Sequence, residues 1–110
     1  MDDPVLVYTT WPSPAAAEAA GRDVVGRRLA ACVNILPAMV SIYPWQGRIE
    51  RAEEAVMILK TRRALTERLM AAVRAAHPYE VPAILVLPLA GADPDYAAWI
   101  TAETAAPDGQ

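Results

Sequence analysis

Residues 30–60 read AACVNILPAMVSIYPWQGRIERAEEAVMILK, two strand-like arms meeting at Gln46-Gly47. Extended at about 3.3 Å per residue, each arm would reach roughly 50 Å, against a usual strand of about 5 or 6 residues. A chain of 110 residues cannot cover such a ribbon with its own helices. The surplus has to pack against something else, and a second copy of the chain is the economical candidate.

Working outward, Val5 to Thr9 is a short β-rich run. Ser13-Pro14 makes a good N-cap and first-turn pair. The alanine-rich stretch from Ala15 to Ala31 then predicts a helix despite Gly21 and Gly26. Beyond the ribbon, Thr61 or Arg62 is expected to open a second helix with an apolar stripe of Leu65, Leu69, Ala72, Val73 and Ala76. His77-Pro78 stops it, because a residue before proline is pushed out of the helical region. Ile84 to Leu87 reads as a last central strand, and Asp93-Pro94 caps a third helix carrying Tyr96, Trp99 and Ile100. The order β-α-β-β-α-β plus a terminal helix predicts an α+β, ferredoxin-like fold with helices on one face of an antiparallel sheet. The expected single domain covers residues 1–104, with Ala105 to Gln110 a flexible tail that has nothing to bury.

Pro37 and Pro44 place the first arm at an edge of that sheet, where proline is tolerated with a bulge or bend. The proline-free second arm belongs inside. Ala55 to Leu59, Ala83 to Leu87 and Val5 to Val7 are apolar at every step, so both faces of these strands need cover. An interface of about 1,000 Å² of apolar area would contribute on the order of 25 kcal/mol before entropy costs. An obligate oligomer is therefore expected.

A net charge of −3 with scattered basic residues argues against a nucleic-acid surface. One cysteine excludes an internal disulfide and a CxxC site. Met1-Asp2-Asp3 lacks the start of a signal peptide, and no apolar run is long enough to span a bilayer, so a reduced, cytoplasmic location is expected. Nothing resembles a GxSxG elbow, a Walker loop or a GxGxxG turn, and no enzyme activity is expected. The Arg48 to Glu54 stretch reads as a solvated hairpin tip whose charges blunt edge-to-edge aggregation.

Five segments in order, LAACVNILP (Leu29 to Pro37), SIYPWQGRIE (Ser41 to Glu50), VMILKT (Val56 to Thr61), HPYEVP (His77 to Pro82) and DYAAWI (Asp95 to Ile100), closely resemble the CutA divalent-cation tolerance family. The resemblance runs from about Val5 to Ala102. It implies a homotrimer of ferredoxin-like subunits, an architecture shared with the nitrogen-regulatory PII trimers. It also implies tolerance to copper and other divalent metals through metal binding, with Cu²⁺ or Zn²⁺ as the ion.

The candidate metal ligands are His77, the only histidine, with Glu80 beside it and Cys32 as a soft donor. Against them stand ordinary roles: a helix-end imidazole and a small buried thiol. Some relatives carry a cysteine at the end of the first strand and a doubled histidine before the Pro-Tyr pair. Here those positions are Thr9-Thr10 and Ala76, so a self-contained site within one subunit is not expected. The residues resembling the family's intersubunit cleft are Tyr43, Trp45, Glu50, Lys60, Tyr79 and Trp99, with His77 and Glu80. Such a cleft suits a small polar ligand as well as a metal. The alternative function is accordingly a PII-like signalling or scaffold trimer that holds a small anionic ligand near Lys60.

Overall fold

The structure, a computed structural model, describes residues 2–105. The chain runs β1 (Pro4–Trp11), α1 (Pro14–Gly26), β2 (Cys32–Trp45), β3 (Arg48–Arg62), a 3-10 turn (Arg63–Leu65), α2 (Thr66–Ala76), β4 (Ile84–Pro88) and α3 (Pro94–Glu103). The sheet has the order β2-β3-β1-β4 and every pairing is antiparallel. This is the ferredoxin-like arrangement that the pattern of elements predicts. β2 lies at an edge and β3 inside, as the prolines require. β4 differs from expectation: it is the opposite edge, paired only with β1. Ile84 packs against the core on the helix side while Leu85 and Leu87 on the other face are exposed, so the apolar run of β4 does not mark a central position.

The long arms are real, and the molecule is 44 Å in its longest dimension. Gln46 and Gly47 take φ of 52° and 80°, the two left-handed residues a tight two-residue hairpin turn demands. Trp45 opposite Arg48 closes that turn. Hydrogen-bonded and non-bonded pairs alternate from there, so Pro44 opposite Ile49 aims its missing N–H at the open edge. The second proline sits in a bulge, where the register slips between Leu36 and Met39.

Period-two alternation sets the core. Val5, Val7, Thr9 and Trp11 of β1 and Ala55, Met57, Leu59 and Thr61 of β3 face the helices and are buried. Ala17, Ala20 and Val24 of α1 and Leu69 and Val73 of α2 cover them. Each fully buried Leu or Val contributes about 1.5–3 kcal/mol relative to exposure. Small residues let α1 come close: a Cβ on Gly21 would lie 2.9 Å from Val33 Cγ2.

α1 ends at Gly26, earlier than Ala31. Arg28 takes a left-handed φ of 61°, and the Leu29 N–H returns to the Val24 carbonyl in a Schellman-type stop. A non-glycine residue is held there by tertiary bonds. Its guanidinium donates to the Ala102 carbonyl at 2.9 Å, and its own carbonyl accepts from Ala105 N–H at 2.7 Å. α2 begins later than expected, because Thr61 and Arg62 belong to β3. Thr61 is fully buried and donates to the Leu29 carbonyl at 2.8 Å. The cap for this turn comes from the far end of the chain: Asp2 Oδ1 accepts from Ala64 N–H at 3.0 Å.

Arg62 ties both ends together, donating to Asp2 Oδ2 at 2.9 Å and to the Ala105 carbonyl. The expectation of a tail fraying from Ala105 is corrected at that residue, which is 5% exposed. Residues 106–110 of that tail lie outside the described residues. Among the described residues no helix is long and apolar enough to cross a membrane.

α1 and α2 cover one face of the sheet, and α3 meets the other at Lys60 through Tyr96. On the other, Leu36, Leu85 and Leu87 are exposed beside half-buried Leu6, Tyr8 and Ile58. Along the protruding hairpin Val40, Ile42 and Ile49 are also open, Ile49 at 76%.

Candidate functional site

The chemistry collects where α2 ends against the last residues of β1. Before Pro78, His77 leaves the helix with ψ of 135° and turns its ring inward. The ring stacks on Trp11 at 4.2 Å between centroids, with Tyr79 tilted over it at 4.7 Å. Trp11 is fixed in turn, its indole N–H donating to Thr9 Oγ1 at 2.7 Å. Nε2 of His77 lies 2.7 Å from the Thr10 carbonyl, and the Tyr79 amide donates to Nδ1 at 3.2 Å. A nitrogen that accepts an N–H carries no proton, so the ring is neutral, with its hydrogen on Nε2 and donated to Thr10.

Tyr79 reaches outward from this stack and donates its phenol to Glu54 Oε2 at 2.9 Å. Burial, then the bond to Glu54, pushes its pKa up to about 12. Around this pair is a cleft of about 370 Å³ lined by Thr10, Tyr43, Trp45, Glu54, Tyr79 and Glu80, with Val81 and Ala83 at its side. Two carboxylates line it and no Lys or Arg does. A concavity of about 420 Å³ beside the Pro37 bulge also carries two carboxylates, Glu53 and Glu54, but no aromatic ring, and one of about 600 Å³ between α1 and β2 sets Glu18 with Arg22 and Trp99.

Of the residues the sequence nominates for one cleft, Tyr43, Trp45, Tyr79 and Glu80 come together here. His77 stands behind Tyr79 and Glu50 sits opposite Tyr43 on the hairpin. Lys60 and Trp99 do not join them. Glu54 and Lys60 share a face of β3 but are six residues apart, roughly 20 Å. Lys60 donates to Tyr96 Oη at 3.0 Å, and that bond holds its ammonium above the usual lysine range while burial opposes it. Trp99 stacks on Tyr96 and lines the α1–β2 groove with Cys32.

The expected metal set is likewise divided. Cys32 is a free thiol opposite Lys60, at the far end of the sheet from Glu80. Both His77 nitrogens are already bonded. Among the described residues no group of three or more His, Cys, Asp or Glu side chains gathers as a metal cage.

Glu54 is the site residue that sequence reasoning missed, since its charge run reads as a solvated tip. The rest of that reading holds at Arg51 and Glu53, an exposed pair at 3.3 Å. Parity would have found Glu54: it alternates with Val56 and Ile58, on the face opposite α1 and α2.

The sequence pattern of the family described as CutA1 divalent ion tolerance protein matches residues 5–103. The chain is 38% identical over 100 residues to a chloroplastic protein CutA of Arabidopsis thaliana, covering 91% of this chain and 55% of that protein. It is 37% identical over 100 residues to a divalent-cation tolerance protein CutA of Pectobacterium atrosepticum, covering 91% of each. The solved divalent cation tolerance protein Cut A1 of Thermus thermophilus superimposes with a TM-score of 0.89 at 38% identity, covering 93% of this chain and 99% of that one. The chain thus spans about half the length of the plant relative and nearly all of the bacterial one.

Proposed function

The chain belongs to the CutA1 divalent ion tolerance family, and from that premise we propose that it confers tolerance by binding divalent cations, Cu²⁺ foremost. The observation that carries this reading is the charge of the cleft: Glu54 and Glu80 line it and no basic side chain does. Such a lining attracts cations and repels anions. Oxygen donors hold many divalent ions, and Cu²⁺ heads the affinity series of first-row metals at mixed N and O sites, with Zn²⁺ below it. Glu54 and Glu80 are the protein donors in this reading. In this reading His77 is not a ligand, and its bonds to Thr10 and Tyr79 support that. The alternative of a small anionic ligand in an intersubunit cleft rests on Lys60, which within one chain lies with Tyr96 at the other end of β3.

The working unit in this proposal is a homotrimer. Leu36, Leu85 and Leu87 on the uncovered sheet face, and the apolar side chains of the hairpin, are the surfaces it buries. Neighbouring copies complete the coordination that two carboxylates alone leave open. The protein is a binding protein rather than an enzyme, and it works in the cytoplasm, where a free Cys32 stays reduced.

Calorimetric titration of the metal-stripped protein with Cu²⁺ and with Zn²⁺ tests this. Saturable binding at a fixed ratio per trimer is expected, weakened at least about tenfold by Glu54→Gln or Glu80→Gln, a loss of about 1.4 kcal/mol. Absence of saturable binding, or affinity untouched by both variants, overturns the assignment.

A further inference from the structure

We infer that His77 is the positioning residue of this cleft: as a neutral ring it bridges the end of β1 to the Tyr79 segment and so aims Tyr79 and Glu54 into the site. The inference rests on the reading of the cleft as the cation site. The chain of contacts is continuous. The Thr10 carbonyl accepts from Nε2, Nδ1 accepts from the Tyr79 amide, and the Tyr79 phenol donates to Glu54 Oε2. One ring therefore connects β1, the end of α2, the Pro78–Val81 segment and, through Tyr79, β3.

Only histidine among the side chains combines what the position demands. A flat ring fills the slot between Trp11 and Tyr79, with a donor and an acceptor on its edge. Phenylalanine would keep the stacking and lose both bonds. Glutamine would keep a donor and an acceptor and lose the stack. Burial makes the bonds binding constraints, since the residue is 9% exposed. A metal taking either nitrogen would have to displace Thr10 or Tyr79 and leave a buried polar group unsatisfied. The titratable groups on this side are Tyr79, Glu54 one hydrogen bond further, and Tyr43 and Glu80 in the lining of the same cleft.

His77 is the only histidine, so its ring gives one unambiguous set of nitrogen-15 signals. The whole protein, metal-stripped, should show a single tautomer with hydrogen on Nε2, unchanged when Zn²⁺ is added to saturation of the cleft. Hydrogen exchange at the Tyr79 amide adds a readout tied to the bond itself. In folded His77→Phe that amide loses its acceptor and should exchange faster, while amides of the β1–β3 ladder keep their rates, and Zn²⁺ affinity should drop about tenfold. His77→Gln should recover part of both. A Zn²⁺-dependent shift at either ring nitrogen, or a His77→Phe variant with Tyr79 amide exchange unchanged, overturns the inference. Should the wild-type protein bind no Zn²⁺, the cation reading fails alone, and the tautomer and Tyr79 amide exchange still decide the role of His77.

Discussion

Alanine at Gly21 and alanine at Gly26 are expected to shift stability in opposite directions, although both replace glycine in the same helix. Intrinsic propensity favours alanine by roughly 0.5–1 kcal/mol in a helix interior. At Gly26 nothing lies within 4 Å of an added Cβ, so the gain stands at about 0.5 kcal/mol. At Gly21 the same atom would sit 2.9 Å from Val33 Cγ2 and 3.1 Å from Met57 Sδ. Val33 is β-branched and stiff at χ1, and Met57 is fully buried in the core. Overpacking of this kind costs about 1–3 kcal/mol, which exceeds the propensity gain. Gly21→Ala should therefore lose about 1 kcal/mol net. Chemical denaturation of both variants at one fixed protein concentration measures the difference, since dissociation of an oligomer makes the midpoint depend on concentration. Equal stabilisation by both substitutions would refute the close approach of α1 to β2 and β3 described above.

Three further outcomes are expected. Absorbance titration of the tyrosines should find Tyr79 ionising near 12, lowered toward 10 in Glu54→Gln; because its folded value is raised, its share of stability is complete below about pH 10 and is lost as pH climbs through 12. Asp2→Ala removes both the partner of Arg62, whose side chain is 10% exposed, and the cap at Ala64, and should lower the unfolding free energy by about 2 kcal/mol in the same denaturation assay. Leu85→Glu places a charge on a side chain that is 58% exposed in one copy and that the proposed trimer buries, so sedimentation should show a mass below that of the wild-type assembly; an unchanged mass would remove β4 from the interface.

The parts of this fold legible in the sequence are those decided locally. Two long strand-like arms, Gln46-Gly47 at the hinge between them and two prolines on one arm suffice for the hairpin and its place at the edge. The boundaries of α1 and α2 were not legible, because their determinants lie far away in the chain. Arg28 is held left-handed by the end of α3, and the cap for Ala64 is Asp2. Ala105 likewise looks like tail by composition and is buried through bonds to Arg28 and Arg62.

The site was half visible for a related reason. Tyr43 and Trp45 near the hairpin turn and Tyr79 and Glu80 after α2 converge on one cleft, where Tyr79 reaches β3 through Glu54. Lys60 resembled a member of the same cleft, yet a strand separates residues by about 3.3 Å each, and that distance sends it to Tyr96. His77 carried the metal expectation on its chemistry alone. Its partners, a main-chain carbonyl and a main-chain amide, leave no mark in a list of residue types.

The most direct test of the cation assignment is to crystallise the protein, soak it with Zn²⁺ and locate the metal by its anomalous scattering. The expected peak lies in the cleft within coordination distance, about 2.0–2.2 Å, of a Glu54 or Glu80 oxygen, with the His77 ring still bonded to Thr10 and Tyr79. A peak on a His77 nitrogen or on Cys32, with the cleft carboxylates bare, would contradict it.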